Sequence, residues 1–579
     1  MPRGTTAGSG RYDASGRARE GDVAVPRIWA EPLGIEVYPA LYRALTGEPE
    51  TLGDFFPLPP GDPAAWAERA RAVDRLWAGE DGASRRRGLV AALSAIQQKV
   101  GHTAAQAANL EALGADGALV VVTGQQAGLL GGPLYTVYKA LGAVVRARQA
   151  ARALGRPVVP VFWVASEDHD WSEVSQVGGV GPRGAAVQLR LAGHGEGRSA
   201  GHQPVPPEAR HLVGELESLF PPSAEGAAVL EGLRAGLRGL GRGSLADWFT
   251  VQLQALLGHT GLLFYDPMLP ALRRLAAPAL AGAVERAPAA HRALAAQAGA
   301  LRQRGFAPGL EVPNDHTLLF TYLEGRRVSL HRDGERIRSA DGRVDCSSAE
   351  VARRVEEGPE NFSPNVVPRP VVQDCTLPVL SQLGGPGEVA YLAQLPPVFA
   401  LWDRPVPIVS PRPGGTVVGP EDRRALAAAE MRPADFYQDL EGAVEQAARA
   451  VAPVDLEGIF AAEQLQLQER YAHLETVLAG VGPAMPELVR RNAAHVRHQL
   501  LYLETKAHQH RRRAARAVVG ELRATAGRLF PGGSLQERHQ SVYPYLLQAG
   551  PTWLEALQEA LAAAPGPFGT HWLFQQPDA

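Results

Sequence analysis

Four carboxylates and a histidine crowd into one stretch, SEDHDWSE, as Glu167, Asp168, His169, Asp170 and Glu173. Like charges held this close raise one another's pKa unless a cation sits among them. Three chemistries fit. Hard carboxylate oxygens suit a divalent ion such as Mg2+. The same oxygens suit a substrate ammonium. His169, with an ordinary pKa near ~6.5, suits general-base work. A solvated loop with an N-capping Asp is the plainer alternative. A second stretch, TGQQAGLLGGPLYTVYK, brings Thr123, Gly124, Gln125, Gln126, Gly128, Gly131, Gly132, Tyr135 and Lys139. Glycines let the backbone approach a ligand, and a helix starting just beyond them can hold an anion. Lys139, one helical turn past Tyr135, could face a phosphate or carboxylate, or lie in a surface ion pair. The loop spells neither a Walker motif nor GxGxxG. A third stretch runs from Asn361 to Leu395. Asn365, Arg369, Gln373 and Asp374 come first, and Gly384, Gly385, Gly387, Glu388 and Tyr391 follow. Arginine can clamp a carboxylate or phosphate through two parallel bonds. A Pro/Gly-rich connection is the alternative. Cys375 reads as a buried structural thiol, because no base is placed to activate it.

Elements must bring these stretches together. Leu119–Thr123 and Val158–Ala165 are short apolar runs of the kind that form buried parallel strands. A helix over Tyr135–Leu154, with Gly155 as its stop, joins them into one βαβ unit. Leu262–Tyr265, Val379–Leu383 and Pro407–Val409 are further core strands. In an open α/β sheet, ligands bind where strands empty into loops at their carboxyl ends. Asp22–Leu58 reads as an irregular lead-in. Helices are expected from Asp62, over about Arg87–Leu113, over Val229–Leu257 and over Pro270–Leu301. His316–Ser347 alternates as a small β-rich insert.

Past Asp422 the chain turns mostly helical. Val496, Leu500, Leu503, Ala507, His510, Ala514 and Ala517 follow at alternating spacings of four and three, a coiled-coil-like stripe. With Glu463–Leu478 and a turn at Gly480–Pro486, two antiparallel helices are expected to form an arm that pairs with a second subunit. The basic run His508–Arg516 reads as a solvated helix face. The boundaries expected are a basic tail over 1–21, a core over 22–421 with inserts at about 178–228 and 311–360, an arm over 422–530, and a segment over 531–579 packing back on the core.

With 579 residues and a formal charge of -3, nothing suggests wholesale nucleic-acid binding. Two cysteines argue against a disulfide framework or a cysteine-based zinc site, and no metal ligands are assigned. No apolar run reaches the ~18 residues of a membrane span, and the first twenty residues lack a signal core. A cytoplasmic protein is expected.

The stretches Thr123–Lys139, Pro160–Glu173, Phe362–Asp374 and Gly384–Phe399, in that order, closely resemble the BshC family of bacillithiol biosynthesis. The resemblance implies an α/β Rossmann-like parallel-sheet core with connecting inserts, and a helical coiled-coil domain that pairs subunits into a homodimer. It implies addition of L-cysteine to glucosaminyl-malate. Making that amide requires an activated acyl group, which ATP with Mg2+ could supply. In that scheme Thr123, Gly124, Gly128, Gly384, Gly385 and Gly387 approach the nucleotide and Lys139 holds phosphates. Asp168, His169 and Asp170 orient the amine or take its proton, with Gln125, Gln126, Tyr135 and Glu167 beside them. Arg369, with Asn365 and Gln373, holds the malate carboxylate, and Glu388 and Tyr391 line the sugar pocket. The HxGH and KMSKS elements of nucleotidyl-transferring cysteine ligases are both absent. A nucleotide-sugar transferase and a non-catalytic dimeric binding protein are the competing readings.

Overall fold

A computed structural model describes residues 27–577 apart from 182–183, 194 and 451–453; the basic tail expected over 1–21 lies outside the described residues. The chain divides into two units. One comprises residues up to Gly181, Ala186–Val418 and Ser534–Ala579. The other comprises Pro182–Ala185 and Gly419–Gly533.

The first unit is built on a five-stranded parallel sheet: β1 (Leu119–Gln126), β2 (Val158–Ala165), β3 (Leu263–Tyr265), β4 (Val379–Gly384) and β5 (Ile408–Pro411). Their order is β5-β4-β1-β2-β3. The runs LVVVT and VVPVFWV are buried throughout, as strands covered on both faces must be. From β1 the chain winds outward to β2 and β3, then returns to lay β4 and β5 on the other side. That reversal opens a crevice at the carboxyl ends of β1 and β4. This is the expected Rossmann-like core. β1 runs three residues past Thr123, so Gln125 and Gln126 pair with Val164 and Ala165 as strand residues. The helix Tyr135–Leu154 crosses from β1 to β2 and ends at Gly155, whose φ of 63° only glycine adopts at no steric cost.

Other expectations are refined. The lead-in holds a strand, Trp29–Pro32, and a helix, Ala40–Gly47. Arg87–Leu113 falls in two helices, Gly79–Val100 and Ala104–Gly114, because Thr103 and Gln106 form a reciprocal cap that starts the second. Val229–Leu257 divides in the same way, where Ser244 and Asp247 cap the helix Leu245–Leu257. The β-rich insert is a five-stranded antiparallel sheet in which Phe362–Pro364 closes beside His316–Leu323. A third sheet sets His571–Gln575 between Trp29–Pro32 and Gly414–Val418.

The second unit is helical. Leu456–Leu478 and Met485–Leu529 run antiparallel, since their cross-links descend one helix while climbing the other: Arg490 to Glu475 (2.6 Å), Tyr471 to Asn492 (2.6 Å), Gln464 to Glu504 (3.2 Å) and Arg511 to Glu457 (3.0 Å). The stripe expected here is split within the single chain. Val496, Leu500 and Ala507 are half-buried, but Leu503 is 57% exposed and His510, Ala514 and Ala517 are also exposed. The half-buried line runs Ala493, Val496, Leu500, Glu504, Ala507, Arg511, Ala515, Val518. Its spacing follows a three-four-four rhythm, close to the natural turn of a straight helix, whereas a strict seven-residue repeat drifts off the face.

Candidate active site

A cavity of about 390 Å³ opens at the carboxyl ends of β1, β2 and β4. All three sequence stretches reach it. Gly124, Gln125, Gln126, Tyr135 and Lys139 come from the first, Glu167, Asp168 and Glu173 from the second, and Asn365, Arg369, Gln373, Gly385, Gly387, Glu388 and Tyr391 from the third.

Lys139 ties two of these walls together. It is almost fully buried, and its Nζ donates to Gly124 O (2.9 Å) and Gln125 Oε1 (2.9 Å) and pairs with Glu388 Oε2 (2.5 Å). Three acceptors use all three ammonium hydrogens. Burial lowers the Lys139 pKa, while Glu388 opposes that shift. Glu388 also accepts from Gly385 N (2.8 Å), which caps the helix Pro386–Leu392 and fixes the glycine-rich turn. Gly124 is required by close approach: a Cβ there would lie 2.7 Å from Trp163 O on the adjacent strand. Trp163, stacked on Tyr265 at 4.3 Å, forms part of the cavity lining.

A relay of neutral groups runs from the glutamine pair to the acidic turn. Gln125 Nε2 donates to Gln126 Oε1 (2.6 Å) and Tyr135 Oη (3.1 Å), and Gln126 Nε2 donates to Asp168 Oδ2 (3.3 Å). Asp168 Oδ1 accepts from the backbone N–H groups of His169 (2.7 Å) and Asp170 (3.2 Å). Burial, then Asp170 and Asp168, raise the Glu173 carboxyl above its ordinary range. Burial and then Glu173 raise the Tyr135 phenol. On the third stretch, Arg369 donates to Tyr391 Oη (2.5 Å) and Gln373 Oε1 (3.3 Å), and Gln373 Nε2 donates to Gln382 Oε1 (3.0 Å). Arg369 is the first residue of the helix Arg369–Thr376, while Asn365 caps the preceding turn through Val367 N (2.9 Å).

Five candidates do not line the cavity. Asp170 caps the short helix Trp171–Val174 and accepts from Ser172. His169 leans toward Phe320, with Nδ1 3.9 Å from Asp168 Oδ1, and burial and then Arg327 lower its pKa. Thr123 is buried and donates to Leu383 O across the sheet (3.2 Å). Gly128 is packed against Gly132, and Gly384 ends β4. Glu167 lies at the cavity edge with its carboxylate committed to the buried guanidinium of Arg273. Cys375 is largely buried, and burial pushes its thiol up to about 11, far from a thiolate nucleophile. Of the carboxylates in the acidic turn, Asp168 and Glu173 line the cavity, while Asp170 and Glu167 are committed elsewhere. Among the described residues no three His, Cys, Asp or Glu side chains gather as a metal cluster would.

Three arginines that sequence reasoning missed complete the lining: Arg327, Arg412 and Arg538. Arg327 belongs to the antiparallel insert and donates to Ser363 Oγ (3.0 Å) and Pro364 O (2.6 Å). Arg412 follows β5, and Arg538 lies on the short helix Gln536–His539 of the C-terminal segment. Each comes from a separate part of the chain. Only the run SPRPGG around Arg412, with its proline–glycine turn after a core strand, carried a local signal.

Two family models match the chain. One is described as Bacillithiol biosynthesis BshC, N-terminal Rossmann-like domain, over residues 31–413, and the other as Bacillithiol biosynthesis BshC, C-terminal coiled-coil domain, over residues 415–569. A Symbiobacterium thermophilum protein named "Putative cysteine ligase BshC" is 34% identical over 533 residues, spanning 89% of this chain and 95% of its own length. Proteins with the same name from Desulforamulus reducens and Salinibacter ruber are 32% and 29% identical. They cover 76% and 92% of this chain, and 82% and 95% of their own lengths.

Proposed function

The chain belongs to the BshC family of cysteine ligases, and from that membership we propose that it joins the carboxyl group of L-cysteine to the amine of glucosaminyl-malate, forming bacillithiol. The observation that carries this reading is the division of charge within one cavity. Arg327, Arg369, Arg412 and Arg538 supply cations, while Asp168, Glu173 and Glu388 supply carboxylates. The malate half brings two carboxylates for the arginines. The sugar amine, protonated in water, brings a cation for Asp168 and Glu173.

Amide formation needs the amine neutral and the acyl carbon activated. The raised pKa of Glu173 suits it to take a proton from the amine as the nitrogen attacks. Asp168, held by two backbone N–H groups and Gln126, orients that nitrogen. Arg369, braced by Tyr391 and Gln373, holds one malate carboxylate. ATP with Mg2+ is the proposed activating co-substrate, converting the cysteine carboxylate to an acyl adenylate and leaving as AMP and pyrophosphate. Arg327 and Arg538 offer its phosphates charge, whereas Lys139 already has its hydrogens spent. The lining residues fit the binding of an anion and an ammonium side by side.

The arm is proposed to pair two copies of the chain. Leu465, Leu474, Val477, Leu501, Tyr502 and Leu503 are exposed on its two long helices, an apolar surface a partner helix would cover. Two free cysteines suit a reducing cytoplasm, and no helix among the described residues is long and apolar enough to cross a membrane.

Mass spectrometry of cysteine and glucosaminyl-malate incubated with purified protein tests the reaction. The condensed thiol is expected only when ATP is present. Equal product without nucleotide would remove the activation step, and no product under either condition would remove the ligase reading.

A further inference from the structure

Arg412 has hydrogen to spare. Its Nη1 donates to Pro413 O (2.8 Å) and its Nη2 to the Glu537 carboxylate, but its Nε–H has no partner among the described residues. The side chain is 2% exposed and lines the cavity with its Cζ 5.3 Å from the Tyr135 ring centre. A Cβ on Gly385 would come within 3.1 Å of that Nε. Glycine there leaves the approach open.

Behind the guanidinium, Glu537 is wholly buried and fully engaged. Oε1 takes Arg412 and the Tyr38 hydroxyl (3.3 Å), and Oε2 takes Gly415 N (2.8 Å). Tyr38 Oη also meets His571 Nδ1 (3.0 Å), and Tyr42 Oη donates to Arg412 O (2.9 Å). A buried ion pair is a poor way to gain stability, because desolvation consumes most of the attraction. What such a pair does well is hold a planar guanidinium in one orientation.

The local charge is also incomplete. Lys139 feels both Arg412 and Arg369 as like charges, and Glu388 and Glu537 are the carboxylates bonded to this trio. Of the three cations, Arg369 has no carboxylate bonded to it among the described residues.

We propose that the free Nε–H edge of Arg412 binds a carboxylate of the substrate, and that Glu537 is the positioning residue that aims it. This rests on the reading of the cavity as the glucosaminyl-malate site. It narrows that reading by giving the malate half a second arginine in the same cavity as Arg369. It also gives the C-terminal segment a role in the site, because Glu537 and Arg538 are adjacent on one short helix. That helix is itself fastened through Gln536, which accepts from Val417 N (2.7 Å) and donates to Val417 O (3.0 Å).

The test uses the full-length protein, with L-malate as the calorimetric probe and separate KM values for glucosaminyl-malate and cysteine. Glu537→Gln keeps the shape and removes the charge. Arg412→Lys keeps the charge and removes the Nε–H edge. Each is expected to weaken malate binding at least about tenfold and to raise KM for glucosaminyl-malate in step, with KM for cysteine within about twofold of wild type. The double variant is expected to lose little more than either single one, as partners acting through one contact do. Unchanged malate affinity in either variant, or an equal loss for both substrates, would overturn the proposal. Should Glu537→Gln fail to fold, Glu537→Asp takes its place: several-fold weaker malate binding is expected, and undiminished binding would be as damaging. A protein that binds malate through Arg412 yet forms no bacillithiol would contradict the ligase reading and leave the clamp standing.

Discussion

The sheet core and the turn that joins the two long helices of the arm use charge in opposite ways. In the core, Asp374 is 1% exposed and receives both Arg69 and Arg404, Glu167 receives Arg273, and Glu537 receives Arg412. At that turn Arg490 reaches Glu475 and Glu487, with Arg490 and Glu487 exposed and Glu475 half-buried. Buried pairs fix directions in space, because each partner left alone would be an uncompensated charge. Exposed pairs are screened and interchangeable. The core therefore holds a site of defined geometry, and the arm holds a surface.

Breaking the deepest core contact sharpens that contrast most. Asp374→Asn strands two guanidiniums beneath the sheet and is expected to cost about 3–5 kcal/mol in urea unfolding, with turnover per folded molecule nearly intact because Asp374 does not line the cavity. Acid should act next. Burial pushes His316 and His571 down to about 4, so both stay neutral in the folded core. Below their unfolded pKa of ~6.5 the unfolded chain takes up protons that the folded one refuses. Stability is then complete above about pH 6.5 and drains away as pH falls toward 4. Urea midpoints across that range should show the loss, and His571→Gln should flatten part of the slope.

Within the site itself, Lys139→Met removes the tie between β1 and the glycine-rich turn. It is expected to lower kcat/KM by about a hundredfold, near 2.7 kcal/mol. Asp168→Asn keeps the shape of the acidic turn and removes its charge; an increase of about tenfold in KM for the amine substrate is expected, with cysteine KM unaffected. In the arm, Arg490→Ala should leave the unfolding midpoint where it was. A clear drop there would erase the distinction between the two regions.

The legible parts of this chain are those where one local pattern decides. The runs VVVT and PVFWVA could only be buried strands, and they delivered the polar turns after them to one sheet edge. Gln125, Lys139, Asp168, Arg369 and Glu388 therefore meet in the cavity. What local pattern could not show was commitment. Asp170 is occupied by a helix cap, Glu167 by Arg273, and Lys139 by three acceptors. Nor could it show residues that arrive from far along the chain. Arg327 comes from an antiparallel insert, and Arg538 comes after the entire arm. The stripe through Leu503 marks the packing line between the two helices of one chain only in part: alternating threes and fours follow that line over two turns and drift from it over six.

Hydrogen exchange with glucosaminyl-malate bound tests most directly whether separate stretches form one site. Protection is expected to rise together at 124–128, 165–170, 365–369, 384–391 and 536–540, and to stay unchanged along 456–529. Protection confined to the arm, or to a single one of those turns, would contradict the convergence on which the proposed chemistry stands.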